Sequence, residues 1–182
     1  MTAAGNRPPV PPGLAADLVA VRLVVFDFDG VFTDNTVYVS EDGTETVRCW
    51  RGDGLGLAAL QGAGVRVLIL STEVNPVVTM RSRKLRVECV QGCDDKRARL
   101  EALVVERGLT LDQVAFVGND INDLGCLEVV RVPIVVADAH PSVVSIARYR
   151  TERPGGHGAV REVCDLLVPL QARAPRPAGA AS

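Results

Sequence analysis

One apolar run that ends on two closely spaced carboxylates constrains the fold of this chain more than any other feature. Residues 24–34 are Val-Val-Phe-Asp-Phe-Asp-Gly-Val-Phe-Thr-Asp. An apolar run that stops at a charge is typical of a strand buried on both faces. Asp27 and Asp29 project to the same side of an extended chain, and such close like charges repel unless a cation lies between them. Mg²⁺ prefers oxygen ligands, so the pair predicts a magnesium site, with a solvated turn as the alternative.

Strand-like and helix-like segments alternate along the rest of the chain. We predict strands at 21–27, 65–70, 88–90, 114–117 and 134–137, and helices at 14–20, 53–63, 77–85, 94–107, 141–147 and 159–170. Residues 36–40 and 45–50 predict a β-hairpin flap directly after the first strand. This order indicates an α/β fold, an open and mostly parallel sheet with helices on both faces and no cap domain. We expect one domain at 14–171, a disordered leader at 1–13 and a disordered tail at 172–182.

Length and composition exclude several classes of protein. With 182 residues the chain is long enough for one domain with a real core. Its 20 basic and 22 acidic side chains leave a net charge of −2, which gives no basic surface for nucleic acid. The five cysteines form no CxxC pair, so we expect reduced thiols in a cytoplasmic protein. No apolar run approaches the roughly 20 residues of a membrane span.

Four polar motifs fall at the ends of predicted strands and helices. They are Asp-Phe-Asp-Gly-Val-Phe-Thr-Asp at 27–34, Leu-Ser-Thr at 70–72, Asp-Asp-Lys at 94–96 and Gly-Asn-Asp-Ile-Asn-Asp at 118–123. In this order and at these spacings they resemble the four motifs of the haloacid dehalogenase superfamily of phosphohydrolases. The resemblance spans residues 21–170, and the joint pattern is far more specific than any single motif.

The resemblance implies a role for each motif. Asp27 would be the nucleophile that forms an aspartyl-phosphate, and Asp29 the general acid and then the general base. Ser71 and the Thr72 amide would bind the phosphoryl group. Lys96 would neutralise charge on the nucleophile and the phosphate. The alternative for Lys96 is an ordinary solvent-facing helix charge, and for Ser71 a helix cap.

The fourth motif departs from the family pattern at one position. The resemblance implies a Mg²⁺ ion held by Asp27, Asp29 and the residue after Gly118, where family members commonly carry aspartate. This chain has Asn119 there, whose amide oxygen can bind Mg²⁺ but brings no charge. We therefore expect weaker metal binding unless Asp120 or Asp123 compensates from behind the ligands. An N-cap role is the alternative for Asp123.

Three further stretches resemble one branch of the superfamily. The first motif, Arg-Gly-Asp-Gly-Leu-Gly at 51–56 and Gly-Gly-His-Gly-Ala-Val-Arg-Glu at 155–162 are similar to small capless phosphatases of 3-deoxy-2-keto sugar acids. The resemblance implies a homotetramer in which the hairpin and the glycine-rich tail contribute to the neighbouring site. Apolar hairpin residues suit such association: Val37, Tyr38, Val39 and Trp50.

The second motif bears on the substrate. Octulosonate 8-phosphate phosphatases usually have Ser-Gly-Arg there, whereas this chain has Ser71-Thr72-Glu73 followed by Arg81 and Lys84. This pattern resembles phosphatases of nine-carbon acids and a domain attached to some sialic acid cytidylyltransferases. It favours a nonulosonate or acylneuraminate 9-phosphate, with Glu73, Arg81 and Lys84 as substrate contacts. The alternative substrate is 3-deoxy-D-manno-octulosonate 8-phosphate. The alternative function is a weakly active tetrameric module that associates with a nucleotide-sugar synthetase of the CMP-sialic acid type. For Arg81 and Lys84 the alternative is an ordinary surface helix.

Overall fold

A computed structural model describes residue 10 and residues 12–171. In chain order the strands are β1 (Leu23–Phe26), β2 (Thr33–Val39), β3 (Glu45–Cys49), β4 (Arg66–Leu70), β5 (Glu88–Val90), β6 (Val114–Gly118), β7 (Val132–Val135) and β8 (Tyr149–Arg150). The helices are α1 (Pro12–Ala20), α2 (Asp53–Gly62), α3 (Pro76–Leu85), α4 (Lys96–Glu106), α5 (Leu124–Val129), α6 (Pro141–Val144) and α7 (Ala159–Gln171). The predicted leader lies largely outside the described residues, with α1 beginning at Pro12, and the predicted tail lies wholly outside them.

The main sheet has six strands in the order β5-β4-β1-β6-β7-β8. All its pairings are parallel, and β1 lies between β4 and β6, with Val25 opposite Leu68 on one side and Phe116 on the other. A central strand covered on both faces has no solvated side, which explains why all four residues of β1 are buried. The predicted α/β fold with a mostly parallel sheet is confirmed.

One α-helix, one strand and two 3-10 turns (Leu111–Gln113 and Ile121–Asp123) were absent from the sequence prediction, and one strand is shifted. The six-residue helix α5 and the two-residue strand β8 are too short to show a periodic pattern. Strand β7 begins at Val132 rather than at the predicted residue 134 and therefore includes Pro133. Proline has no N–H to donate, but its carbonyl oxygen still accepts a hydrogen bond from Arg148 N at 2.9 Å.

The hairpin of β2 and β3 forms a separate antiparallel sheet directly after β1, as predicted. It contacts the rest of the chain where Asn75 Nδ2 donates to Glu45 Oε2 at 2.7 Å. Its apolar side chains are exposed: Val37 by 50%, Tyr38 by 66% and Val39 by 64%. Within residues 12–171 this hairpin is the only insertion near the first motif, so the described chain has no cap domain. None of the described helices has the length and apolar character needed to cross a membrane.

Candidate active site

The predicted catalytic residues meet at the carboxyl edge of the sheet because they follow neighbouring strands. Asp27 comes directly after β1, Ser71 after β4 and Asn119 after β6. Parallel strands bring such ends to one edge, which is where ligands bind in open α/β sheets. A pocket of about 320 Å³ opens there. Its lining residues are Asp27, Asp29, Asn35, Ser71, Thr72, Asn119, Asp120, Ile121 and Asn122.

Lys96 lies behind the lining of this pocket, where it forms with Asp27 and Asp123 a buried charge cluster that we call the floor. Its ammonium nitrogen lies 2.7 Å from Asp27 Oδ1 and 2.8 Å from Asp123 Oδ1, and the residue is only 3% exposed. Helix α4 positions it, because Asp95 caps the helix by accepting a hydrogen bond from Ala98 N at 2.9 Å and Lys96 is the first helical residue. The alternative of a solvent-facing lysine is wrong, since the side chain is held between two buried carboxylates.

The charged groups of this floor shift one another's pKa values. Burial raises the pKa of Asp27 to about 7, the charge of Asp123 acts in the same direction, and Lys96 opposes both. Burial acts to lower the pKa of Lys96, but the charges of Asp27 and Asp123 outweigh it, so that pKa is raised. One ammonium between two carboxylates leaves a site that still attracts a cation.

Asp123 holds the backbone of Asn119, a candidate metal ligand, and also accepts a hydrogen bond from Asp120 N at 3.4 Å in the capping box of the short turn Ile121–Asp123. Its Oδ2 accepts a hydrogen bond from Asn119 N at 2.9 Å, while its Oδ1 faces Lys96. It precedes α5 as the N-cap residue, but its carboxylate makes no capping bond to that helix. Asp120 directs its own Oδ1 to Ile121 N at 2.7 Å. Ser71 is no helix cap either, because Asn75 caps α3 by accepting from Val77 N.

The residues proposed to bind magnesium converge on one point. The inward-facing atom of the Asn119 amide lies 3.2 Å from Asp27 Oδ2 and 3.0 Å from the Asp29 carbonyl oxygen. Adjacent oxygens on a Mg²⁺ octahedron are about 2.9 Å apart, because the metal–oxygen distance is about 2.1 Å. Within the described residues no group of three His, Cys, Asp or Glu side chains could hold a metal. The set formed by one carboxylate, one amide and one carbonyl nevertheless fits Mg²⁺, which keeps several of its waters.

The side chain of Asp29 lies at the mouth of the pocket. Thr33 Oγ1 donates to Asp29 Oδ1 at 3.4 Å and accepts from Gly30 N at 3.0 Å, so the turn after β1 restrains the carboxylate. Burial and the charge of Glu73 raise the pKa of Asp29. A carboxyl group that keeps its proton more readily than usual is suited to protonate a leaving alcohol.

The comparisons with known proteins agree with this geometry. A family profile described as haloacid dehalogenase-like hydrolase matches residues 69–162. The chain belongs to this family. The predicted superfamily and enzyme class, a hydrolase, are therefore confirmed.

Relatives within this family also match the predicted branch. The 3-deoxy-D-manno-octulosonate 8-phosphate phosphatase of Salmonella typhimurium is 34% identical over 91% of this chain and 88% of its own length. A structure of the Moraxella catarrhalis phosphatase of that name, with magnesium, phosphate and a KDO molecule, has a TM-score of 0.85 and 31% identity, covering 88% of this chain and 92% of that one. A hypothetical protein from Xanthomonas campestris has a TM-score of 0.90 and 35% identity, covering 95% and 94%.

In this hydrolase the predicted glycine-rich loop packs against the first motif of its own chain. A Cβ at Gly155 would lie 1.9 Å from Gly30 O, and one at Gly156 would lie 2.4 Å from Asp34 N. Gly156 N also donates to Val31 O at 3.1 Å. The glycines are needed for this close approach of two backbones. The repeated glycines signal a close backbone approach but not which segment is approached, and a contribution of this segment to a neighbouring site stays a prediction.

A second pocket of about 340 Å³ adjoins the first and shares Asp29, Asn35 and Thr72 with it. The predicted contact Glu73 lines it together with residues that no motif singled out, namely Thr36, Val37, Glu45, Val47, Asn75 and Val77. Asn35 carries one detectable signal, a φ of 60° that non-glycine residues rarely adopt and that clusters at functional sites.

The two predicted basic contacts lie elsewhere in the protomer. Arg81 and Lys84 line a separate cavity of about 470 Å³ with Arg51 and Arg86. There Arg81 donates to the carbonyl oxygen of Trp50 at 2.9 Å. The structure therefore brings Thr72 to the candidate catalytic pocket and Glu73 to the adjoining pocket, and Arg81 and Lys84 line neither.

Proposed function

We propose that this hydrolase is a Mg²⁺-dependent phosphatase that hydrolyses the phosphate monoester of a 3-deoxy-2-keto sugar acid. One observation carries the proposal: buried Lys96 bridges Asp27 and Asp123, while the Asn119 amide lies 3.2 Å from the other Asp27 oxygen and 3.0 Å from the Asp29 carbonyl oxygen. This arrangement leaves one face of the Asp27 carboxylate directed at the pocket. When bound, Mg²⁺ supplies positive charge to the phosphoryl oxygens.

The proposed reaction has two steps. In the first, an Asp27 carboxylate oxygen attacks phosphorus, the bond from phosphorus to the sugar oxygen breaks, and Asp29 gives that oxygen a proton. In the second, Asp29 takes a proton from water, which attacks the aspartyl-phosphate and releases inorganic phosphate. Lys96 stabilises the charge on Asp27 and on the phosphoryl oxygens, and Ser71 and Thr72 orient the phosphoryl group.

Two sugar acids remain candidates for the leaving group. The octulosonate 8-phosphate phosphatases among the relatives support an eight-carbon acid. We favour a nonulosonate or acylneuraminate 9-phosphate, because Glu73 in the second pocket can accept hydrogen bonds from hydroxyl or amide groups. That pocket includes Asp29 and Glu45 and none of its residues is basic. The substrate carboxylate would therefore be bound by Arg81 and Lys84 of a neighbouring copy.

A panel of sugar acid phosphates tests the substrate. We expect phosphate release only with Mg²⁺ present and a kcat/KM for the nine-carbon ester at least about tenfold above that for the eight-carbon ester. Glu73→Arg should reverse or abolish this preference, whereas Glu128→Arg on the exposed side of α5 should not. Preference of the wild type for the eight-carbon ester would transfer the assignment to the octulosonate enzyme. Equal activity on unrelated small phosphates would contradict both.

The exposed hairpin supports a proposal for assembly. Three adjacent apolar side chains at its end, Val37, Tyr38 and Val39, are at least half exposed, as expected of a surface covered in a homotetramer. The second candidate function, a weakly active module that binds a nucleotide-sugar synthetase, depends on the same surface and on the uncharged Asn119. Light scattering of the purified chain should give a tetramer. A fast phosphatase that captures no synthetase would exclude the second candidate.

We also retain the cytoplasm as the proposed location. All five cysteines are free, and Cys126 and Cys164 are buried with pKa values raised by burial. Buried thiols of this kind are unreactive and suit a reducing compartment.

A further inference from the structure

Two hydrogen bonds hold the backbone of Asn119, and its side-chain amide can still rotate. Its N–H donates to Asp123 Oδ2 at 2.9 Å, and its carbonyl oxygen accepts from His140 N at 2.7 Å. Its side chain lies against Gly30, where an added Cβ would come within 2.0 Å of the amide nitrogen position. The residue is 7% exposed. Rotation of the amide by half a turn exchanges its oxygen and nitrogen without moving anything else.

The two orientations of the amide have opposite chemistry. With the oxygen inward, three oxygens from Asn119, Asp27 and Asp29 face one another with no proton between them, and the amide nitrogen faces only donors. With the nitrogen inward, it donates to Asp27 Oδ2 at 3.2 Å and to the Asp29 carbonyl oxygen at 3.0 Å. The first arrangement is stable only around a cation, and the second only without one.

We propose that the Asn119 amide turns over when metal binds, so that it replaces the missing cation in the metal-free protein. The proposal rests on the Mg²⁺ site of the proposed function. An aspartate at this position can bind a metal ion, but its ionised carboxylate cannot donate a hydrogen bond to Asp27. It would therefore leave two facing carboxylates in the metal-free state. Asparagine lowers metal affinity by omitting one charge, and in return it stabilises the metal-free site.

Asn119→Asp and Asn122→Asp provide a matched test. Both add one negative charge to the same pocket lining, but Asn122 is exposed and is not among the residues that face Asp27. In EDTA at mildly alkaline pH, Asn119→Asp should melt roughly 5 °C below both the wild type and Asn122→Asp. With Mg²⁺ added, its melting temperature should rise more than that of either protein, because the added carboxylate binds the ion more tightly. An Asn119→Asp protein as stable in EDTA as Asn122→Asp overturns the proposal.

A second measurement observes the amide directly. In ¹⁵N-labelled protein, the side-chain NH₂ signal that is lost in Asn119→Asp belongs to Asn119. Its exchange with solvent should be slow in EDTA, where the nitrogen donates inward, and faster with saturating Mg²⁺. Unchanged exchange contradicts the rotation. A wild-type melting temperature that does not respond to Mg²⁺ would instead end the proposed metal site, and the comparison in EDTA would still test the inward-donating nitrogen on its own.

Discussion

The floor of the catalytic pocket and the hairpin at its rim are built on opposite principles. The floor consists of Asp27, Lys96 and Asp123, charged side chains that are all at most 4% exposed and satisfy one another. The hairpin presents Val37 and Tyr38 to solvent, although apolar groups of this size normally gain by burial. The floor is complete within one chain, whereas the proposed assembly would cover the rim with another copy. On that proposal the chemistry needs one chain and the substrate selectivity needs two.

The largest effect should come from the nucleophile. Asp27→Asn keeps the shape of the side chain but removes the attacking charge, so phosphate release should fall by at least about 10³-fold. The melting temperature should stay within a few degrees of the wild type, since burial already raises the pKa of Asp27 and its charge is costly in the fold. Turnover that survives in Asp27→Asn would show that the floor is structural and that the chemistry occurs elsewhere.

Removing the positive charge of Lys96 should affect both activity and folding. Lys96→Met leaves two buried carboxylates facing each other, which costs about 3–5 kcal/mol of unfolding free energy and about 10²–10³-fold in kcat. Urea denaturation and phosphate release measure the two effects. Arg97→Met is the control, because the Arg97–Glu101 pair next along α4 is exposed and is worth less than about 1 kcal/mol. Equal losses in the two variants would refute the buried charge network.

The glycine-rich segment packs against the first motif of its own chain, and a substitution there tests whether the motif depends on that contact. Gly155→Ala would force a Cβ against Gly30 O, so we expect a loss of about 1–3 kcal/mol and a lower kcat. Gly62→Ala near the end of α2 meets no atom within 4 Å and should instead be neutral or stabilising. A stable, fully active Gly155→Ala protein would mean that this segment is free to leave its own chain for a neighbour.

Local patterns predict the helices and strands well and the packing between them poorly, for a physical reason. The apolar run before Asp27, the helix predicted at 77–85 and the hairpin all result from interactions between residues close in sequence. The position of Arg81 on a cavity that Glu73 does not line depends on how α3 packs against the segment after β3, which no local pattern encodes. Nor does sequence spacing reveal that the glycine-rich segment packs on its own first motif, since that contact joins backbones more than 100 residues apart.

Asp53 follows the hairpin at the start of α2, and its titration should make the unfolding free energy depend on pH. Burial raises its pKa from 3.8 to about 6, against the opposing influence of a hydrogen bond from Arg161 N and the charges of Arg81, Arg161 and Arg153. Because the folded state holds this proton more tightly than the unfolded state, the contribution is favourable below about pH 4 and is lost as the pH rises through 6. Asp53→Asn should therefore gain up to about 2 kcal/mol on the wild type between pH 4 and pH 7 in denaturant titrations. The exposed Asp112→Asn should gain nothing, and a flat difference for Asp53→Asn would contradict the assignment.

The smallest effect on folding should come from the hairpin. Because folding should hardly change, any loss of assembly or of kcat/KM can be assigned to the hairpin surface. Tyr38→Ser with Val39→Ser removes two exposed side chains, so the unfolding free energy of a protomer should change by less than about 0.5 kcal/mol. If copies of the chain cover the rim, light scattering should nevertheless show a smaller assembly, and kcat/KM should fall because Arg81 and Lys84 of a neighbour no longer reach the pocket. The double variant Glu41→Gln with Asp42→Asn, at the turn of the same hairpin, should change neither. A double serine variant that keeps both its assembly and its kcat/KM would show that the floor needs no rim from another copy, and the basic cavity would then have no part in binding the substrate.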